Sequence, residues 1–255
     1  MCAVGTIKQS LTFWPISRLA AEADFAKRVA DMGFVAIEMA PEDRWEAIRA
    51  AGLAIPIIGG HQSLTDGLNK RDNHERIASE LRASIRKAAA NGIPSLILFS
   101  GNRNGLPDDE GIAICAEGIR RVIADAENEG VNLCMELLNS KVDHPDYQCD
   151  HTRWGVNLCE AVGSQRFKLL YDIYHMQIME GDLIRTIRDN IRHIGHFHTA
   201  GNPGRHNLDD SQEIHYPAVM RAIAATEYDG YVGHEFGPQG DAMAALKQAF
   251  DACNV

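Results

Sequence analysis

Short apolar runs alternate along this chain with longer amphipathic ones. The apolar runs fall at 7–13 (IKQSLTF), 34–39 (FVAIEM), 53–59 (LAIPIIG), 94–100 (PSLILFS), 131–138 (VNLCMELL), 167–173 (FKLLYDI), 191–199 (IRHIGHFHT) and 229–236 (DGYVGHEF). Each has the length and the β-rich composition of a strand. Helical runs lie between them at 17–32, 42–51, 69–91, 108–129, 151–163, 181–189, 215–227 and 240–252. In 17–32, Leu19, Ala23, Ala26, Val29 and Ala30 recur at helical spacing behind Ser17, which is placed to cap the helix. Gly33, Gly52, Gly92 and Gly130 each follow a helical run and precede a strand, as helix stops do.

Eightfold strand–helix alternation predicts an α/β fold in which a parallel sheet closes as a (β/α)8 TIM barrel, one domain over 1–255. A doubly wound open sheet is the alternative, but neither GxGxxG nor GxxxxGK(S/T) follows the first strand. A length of 255 residues suits one barrel, and 45% hydrophobic with 24% charged residues supports a buried core.

The formal net charge of −10 speaks against nucleic acid or an anionic membrane as partner, since both demand clustered Lys and Arg. It leaves room for a small anionic substrate held by a local Arg. The N-terminus has no basic segment followed by an apolar run, and no stretch approaches the about 18 apolar residues of a membrane span. Six scattered cysteines without a CxxC pair read as reduced thiols. A cytoplasmic enzyme is the expectation. A homo-oligomer is compatible with the sequence, although no interface stripe is legible in it.

Active sites of such barrels sit at the C-terminal ends of the strands. The last four predicted strands each carry a metal-ligating residue type near that end: Glu136, Asp172, His198 and Glu235. Buried carboxylates are costly when alone, and four such groups brought together call for a cation. Three carboxylates and an imidazole suit one divalent ion, Mg2+ or Mn2+, with Zn2+ also admitted. His196 and His234 are neighbouring alternatives, each equally readable as a satisfied core histidine, and His193 sits early enough in its strand to be structural. Three residues are candidates for binding substrate. His175 lies on the loop leaving the sixth strand, Arg205 in the Gly/Pro-rich loop AGNPGRHN, and His61 directly after the paired glycines that end the third strand. A guanidinium at position 205 suits a carboxylate. Trp14 is placed to wall the pocket, and the mixed-charge segment 67–76 reads as a solvated helix start.

At these residues the chain resembles the xylose-isomerase-like barrel superfamily and, within it, the hydroxypyruvate isomerases. The stretch YDIYHMQIMEGDLIRTIRDNIRHIGHFHTAGNPGRHN carries the resemblance, followed by EIHYPAVMRAI and EYDGYVGHEFGP. DxxHxQ, the NPGRH loop and GYxGxE are specific in combination. The resemblance implies that Glu136 and Glu235 bind metal and act as acid and base, that Asp172 is a metal ligand, and that His175 and Arg205 bind substrate. His198 falls where the ketose epimerases of the superfamily place a metal histidine, whereas hydroxypyruvate isomerases often carry Gln there. The spacing from His198 to Arg205 is one residue longer than in those epimerases. Asn139 matches the Glu-x-x-Asn segment, and Asp143 lies one step beyond the epimerases' additional acidic position.

The implied chemistry interconverts aldose and ketose forms of a small hydroxy-carbonyl acid. The leading case is hydroxypyruvate to tartronate semialdehyde through a cis-enediolate, with one glutamate removing a proton and a glutamate returning it. A ketose 3-epimerase, a 2-oxo-tetronate isomerase or a lyase on an oxidised sugar is the alternative. Apurinic endonuclease activity is disfavoured by the acidic charge, and a non-catalytic subunit would be betrayed by the absence of bound metal.

Overall fold

A computed structural model of the chain describes residues 7–22 and 24–255. Cys2, Ala23 and the N-terminal stretch expected to lack a targeting signal fall, wholly or in their first six residues, outside the described residues.

Parallel strands alternate with helices in the order β1 (Lys8–Thr12), α1 (Phe25–Asp31), β2 (Ala36–Glu38), α2 (Trp45–Ala50), β3 (Ile57–Gly59), α3 (His74–Ala90), β4 (Ser95–Leu98), α4 (Asp108–Arg120), α5 (Ile123–Glu129), β5 (Asn132–Leu137), α6 (Thr152–Val162), β6 (Phe167–Asp172), α7 (Ile173–Met179), α8 (Leu183–Asn190), β7 (Ile194–Thr199), α9 (Tyr216–Ala224), β8 (Tyr231–His234) and α10 (Ala242–Cys253). Each predicted strand contains an observed one. Gly33, Gly52, Gly92 and Gly130 all have positive φ, the left-handed conformation that ends a helix without a Cβ clash.

Three helical expectations need correction. The run 17–32 holds one 3-10 turn, Leu19–Ala21, and then α1, and a further 3-10 turn, Trp14–Ile16, precedes it. Pro15 favours a first turn and starts it early, so Ser17 closes that turn instead of capping a helix. Glu22 is then extended (ψ 136°), which interrupts the helix before Phe25. The run 108–129 breaks at Val122, a β-branched residue at φ −131°. The segment after β6 is a helix, not a loop. The Asp172 side chain accepts the backbone N–H groups of Tyr174 and His175 and so caps α7. His193 lies in a 3-10 turn before β7.

The chain packs as two compact units. The first comprises residues through Pro56, Asp182–Ile191 and His196–Val255; the second comprises Ile57–Gly181 and Arg192–Gly195. In the first, strands run in the order β2-β1-β8-β7, with Ser10 opposite Ala36 and Gly233, and His198 also opposite Gly233. Its core includes Leu11, Val29, Phe197, Val232 and Leu246, all buried. In the second, the order is β6-β5-β4-β3, with Glu136 opposite Leu170, and Leu81, Leu96, Leu133, Leu158 and Leu169 buried. The pleat of β7 puts His196 and His198 on one face, Phe197 and Thr199 on the other. Among the described residues the five cysteines are buried free thiols, and no helix is long and apolar enough to cross a membrane.

Candidate functional site

In the first unit the chemistry is organised around a residue that sequence reasoning passed over. Glu38 ends β2 and is fully buried. Ser10 and Thr12, two apart on β1, donate their hydroxyls to its Oε2 and Oε1 at 2.7 and 2.9 Å. His196 and His198, two apart on β7, bring Nε2 to 2.9 Å from Oε2 and 2.7 Å from Oε1. Burial by itself would raise the Glu38 carboxyl; the two imidazoles outweigh it and hold it well below the usual carboxylate range. An ionised carboxylate only accepts, so both Nε2 atoms carry protons. β8 makes room for this cluster: a Cβ at Gly233 would stand 2.2 Å from Glu38 Oε1. The available signal was a glutamate interrupting FVAIEM while Ser/Thr and His/His pairs recur at strand spacing elsewhere.

With Nε2–H of His198 committed to Glu38, its Nδ1 faces Glu235 Oε2 at 3.2 Å. Glu235 follows β8, and its backbone N–H donates to Thr199 O at 2.9 Å. Trp14 Nε1 donates to Glu235 Oε1 at 2.7 Å, and Arg205 Nη2 donates to Oε2. The Arg205 guanidinium also stands over the Trp14 ring, 5.5 Å from its centroid, while the ring itself is half exposed. Burial pushes the Glu235 carboxyl up, but His198 and Arg205 prevail and hold it low. Arg205 has φ +58° and is anchored by Gly237 N–H donating to its carbonyl at 3.0 Å.

His234 and His196 are satisfied core histidines. The Gln9 amide donates to Phe250 O, so its oxygen faces His234 Nε2 at 2.9 Å and accepts from it. Thr199 Oγ1 then donates to Nδ1 at 2.8 Å. Burial lowers the His234 pKa to about 3, keeping it neutral. Glu38, His196 and His198 also form a set with metal-ligand spacing, but the carboxylate and both Nε2 atoms are already used in hydrogen bonds.

In the second unit, Glu136 lies on β5 and Asp172 ends β6, both buried. Asp172 Oδ1 accepts from Tyr174 and His175 N–H at 2.8 and 3.2 Å, which fixes the carboxylate at the start of α7. His175, fully buried, has Nδ1 2.6 Å from Asn139 Nδ2. Asn139 Oδ1 accepts from the N–H groups of Val142 and Asp143, so its amide nitrogen is the atom that faces His175. Nδ1 of His175 is therefore an acceptor and Nε2 carries the proton, an assignment made from the network. Asp143 Oδ2 completes the cluster by accepting from Asn139 Nδ2 at 2.7 Å and from Tyr174 OH at 2.8 Å.

His61 lies beyond β3 and is buried; Phe99 N–H donates to its Nε2 at 3.0 Å, leaving the proton on Nδ1. Burial lowers its pKa to about 4. His193 is bonded to the neighbouring Arg192.

A model of the xylose isomerase-like TIM barrel family matches residues 25–253. The putative hydroxypyruvate isomerase of Homo sapiens is 27% identical over 249 residues, covering 91% of this chain and 90% of its own. The hydroxypyruvate isomerase of Escherichia coli K12 is 32% identical over 174 residues, covering 68% of this chain and 67% of its own. Among solved structures, a family 2 AP endonuclease from Brucella melitensis superimposes with a TM-score of 0.81 at 21% identity, over 94% of this chain and 97% of that one. At that identity the likeness establishes the fold alone, a TIM barrel, which is the class expected from the strand–helix alternation.

Proposed function

Because the chain belongs to the xylose isomerase-like TIM barrel family, we propose that it converts hydroxypyruvate to tartronate semialdehyde with the help of one divalent ion. The chain is an isomerase; the substrate, the ion and the residues that hold it are the inference.

On the sequence reading Glu136, Asp172, His198 and Glu235 are the residues assigned to the ion, with Mg2+ or Mn2+ the best match to three carboxylates and an imidazole and Zn2+ admitted by the same donors. The observation that carries it is the approach of His198 Nδ1 to Glu235 Oε2 at 3.2 Å while Nε2–H belongs to Glu38. Two carboxylates flank this imidazole, and a positive charge balances them, either the ring's second proton or a divalent ion in its place. His198 and Glu235 would be two of the residues to hold the ion, which would take the place of the proton between them. When bound, the ion withdraws charge from the carbonyl and hydroxyl oxygens of the substrate and acidifies the C–H between them.

The side chains do the rest. Glu235, held ionised at neutral pH by His198 and Arg205 against the cost of its burial, is in the form a base requires. One of Glu136 and Glu235 takes the proton from the CH2OH carbon, and a glutamate returns one to the former carbonyl carbon. The hydroxyl proton passes to the former carbonyl oxygen, so the atoms balance. His175 offers Nε2–H to a substrate oxygen. Arg205 supplies the positive charge for the substrate carboxylate, and His61 supplies a further N–H donor.

The test is an assay of purified protein, chelated and then reloaded with Mg2+, Mn2+ or Zn2+, on hydroxypyruvate beside a panel of ketoses and 2-oxo-tetronate. Turnover of hydroxypyruvate that disappears on chelation and returns with metal is expected. Epimerisation of a ketose with no action on hydroxypyruvate would replace this reading by the epimerase one, which His198 also suits.

A further inference from the structure

Glu38 takes no part in the proton shift, yet four side-chain donors converge on it at full burial. A carboxylate held this far from water is expensive, and packing alone would be served better by an apolar residue of similar volume. The surrounding chain is shaped to keep it. Gly233 leaves out the Cβ that would collide with Oε1, and Ser10 and Thr12 each spend a buried hydroxyl on one oxygen. The two imidazoles take one oxygen each, so the carboxylate cannot swing away from His198 without breaking its bond to His196.

We propose that Glu38 is a positioning residue for the divalent ion: by accepting Nε2–H of His198 it fixes that imidazole in one tautomer and one rotation, and so commits Nδ1 as the ligating atom. The inference rests on the reading of His198 as a ligand. A histidine with both nitrogens unassigned divides its population between two tautomers, only one of which presents a lone pair at Nδ1. The hydrogen bond to a carboxylate removes that choice and makes Nδ1 a stronger donor. His196 bonds the other oxygen of the same carboxylate, which assigns a purpose to the first histidine of the GHFHT strand.

The experiment uses the full-length chain labelled with 15N. Long-range 1H–15N correlation reports the protonated nitrogen of His198, 113Cd2+ coupling reports which nitrogen ligates, and Mn2+ titration followed by electron paramagnetic resonance gives affinity. In the wild type, His198 carries its proton on Nε2 and couples to cadmium through Nδ1. Glu38→Gln weakens Mn2+ binding about 10–100-fold while melting remains cooperative, and Ser10→Ala, which touches Glu38 and not His198, weakens it less. Cadmium coupling through Nε2 overturns the proposal and needs no variant, so it decides even if Glu38→Gln fails to fold. Wild-type affinity in a folded Glu38→Gln also overturns it and leaves the metal site standing. A wild-type chain that takes up neither ion overturns the site itself, and the role of Glu38 with it.

Discussion

His198 and His175 are both fully buried imidazoles, one on a strand end and the other on the first turn of a helix, and they are wired in opposite senses. Around His198 the partner of Nε2 is a carboxylate, which can only accept, so Nε2 carries a proton, while Nδ1 faces a second carboxylate at 3.2 Å. Around His175 the partner is an amide nitrogen, which can only donate; the lone pair sits on Nδ1 and the proton on Nε2. On the proposed function, the first arrangement prepares a ligand for a cation and the second a hydrogen-bond donor for an oxygen. The same side chain thus receives two different functions from its neighbours, and in each case the neighbour is itself held by several further bonds.

The sharpest way to break the first arrangement is Glu235→Gln. The carboxamide keeps the Trp14 hydrogen bond in reach but loses the negative charge that faces His198 and Arg205. Turnover should fall by about 10³-fold or more, measured in steady state with metal content checked by elemental analysis. Near-normal turnover would remove Glu235 from the proton transfer.

The second arrangement is probed by Asn139→Asp. An oxygen in place of the amide nitrogen accepts where Asn139 donated, which drives the His175 proton onto Nδ1. A drop in kcat on the order of 10²-fold is expected, the size seen when an oriented donor is lost, with metal affinity little changed. A large loss of metal affinity instead would place His175 in a different role.

His61 supplies the smallest effect and a contrast to both. Burial keeps it neutral, with its pKa near about 4, so the folded chain refuses a proton that the unfolded chain accepts below about 6.5. Stability is therefore complete above that pH and declines as pH falls toward about 4, by about 1.4 kcal/mol per unit at most for this one group. Thermal melts of wild type and His61→Gln between pH 7 and 4 should show a shallower acid slope in the variant; parallel slopes would count against a neutral, buried His61.

Periodicity alone was enough to place the strands, the glycines that stop the helices and the TIM-barrel class, because alternation of apolar and polar positions is a local property of each segment. It also marked Glu136, Asp172, His198 and Glu235 as polar residues at strand ends, and the NPGRH loop as a turn carrying a cation. Tertiary structure alone decided the hydrogen-bond assignments. Glu38 meets histidines 158 and 160 positions away, and Trp14 meets a glutamate 221 positions away. Those encounters depend on the register of strands that are remote in sequence, so no window along the chain contains them. The tautomer of each imidazole follows from such partners, which is why the residue types could be read from the chain while the direction of their protons could not.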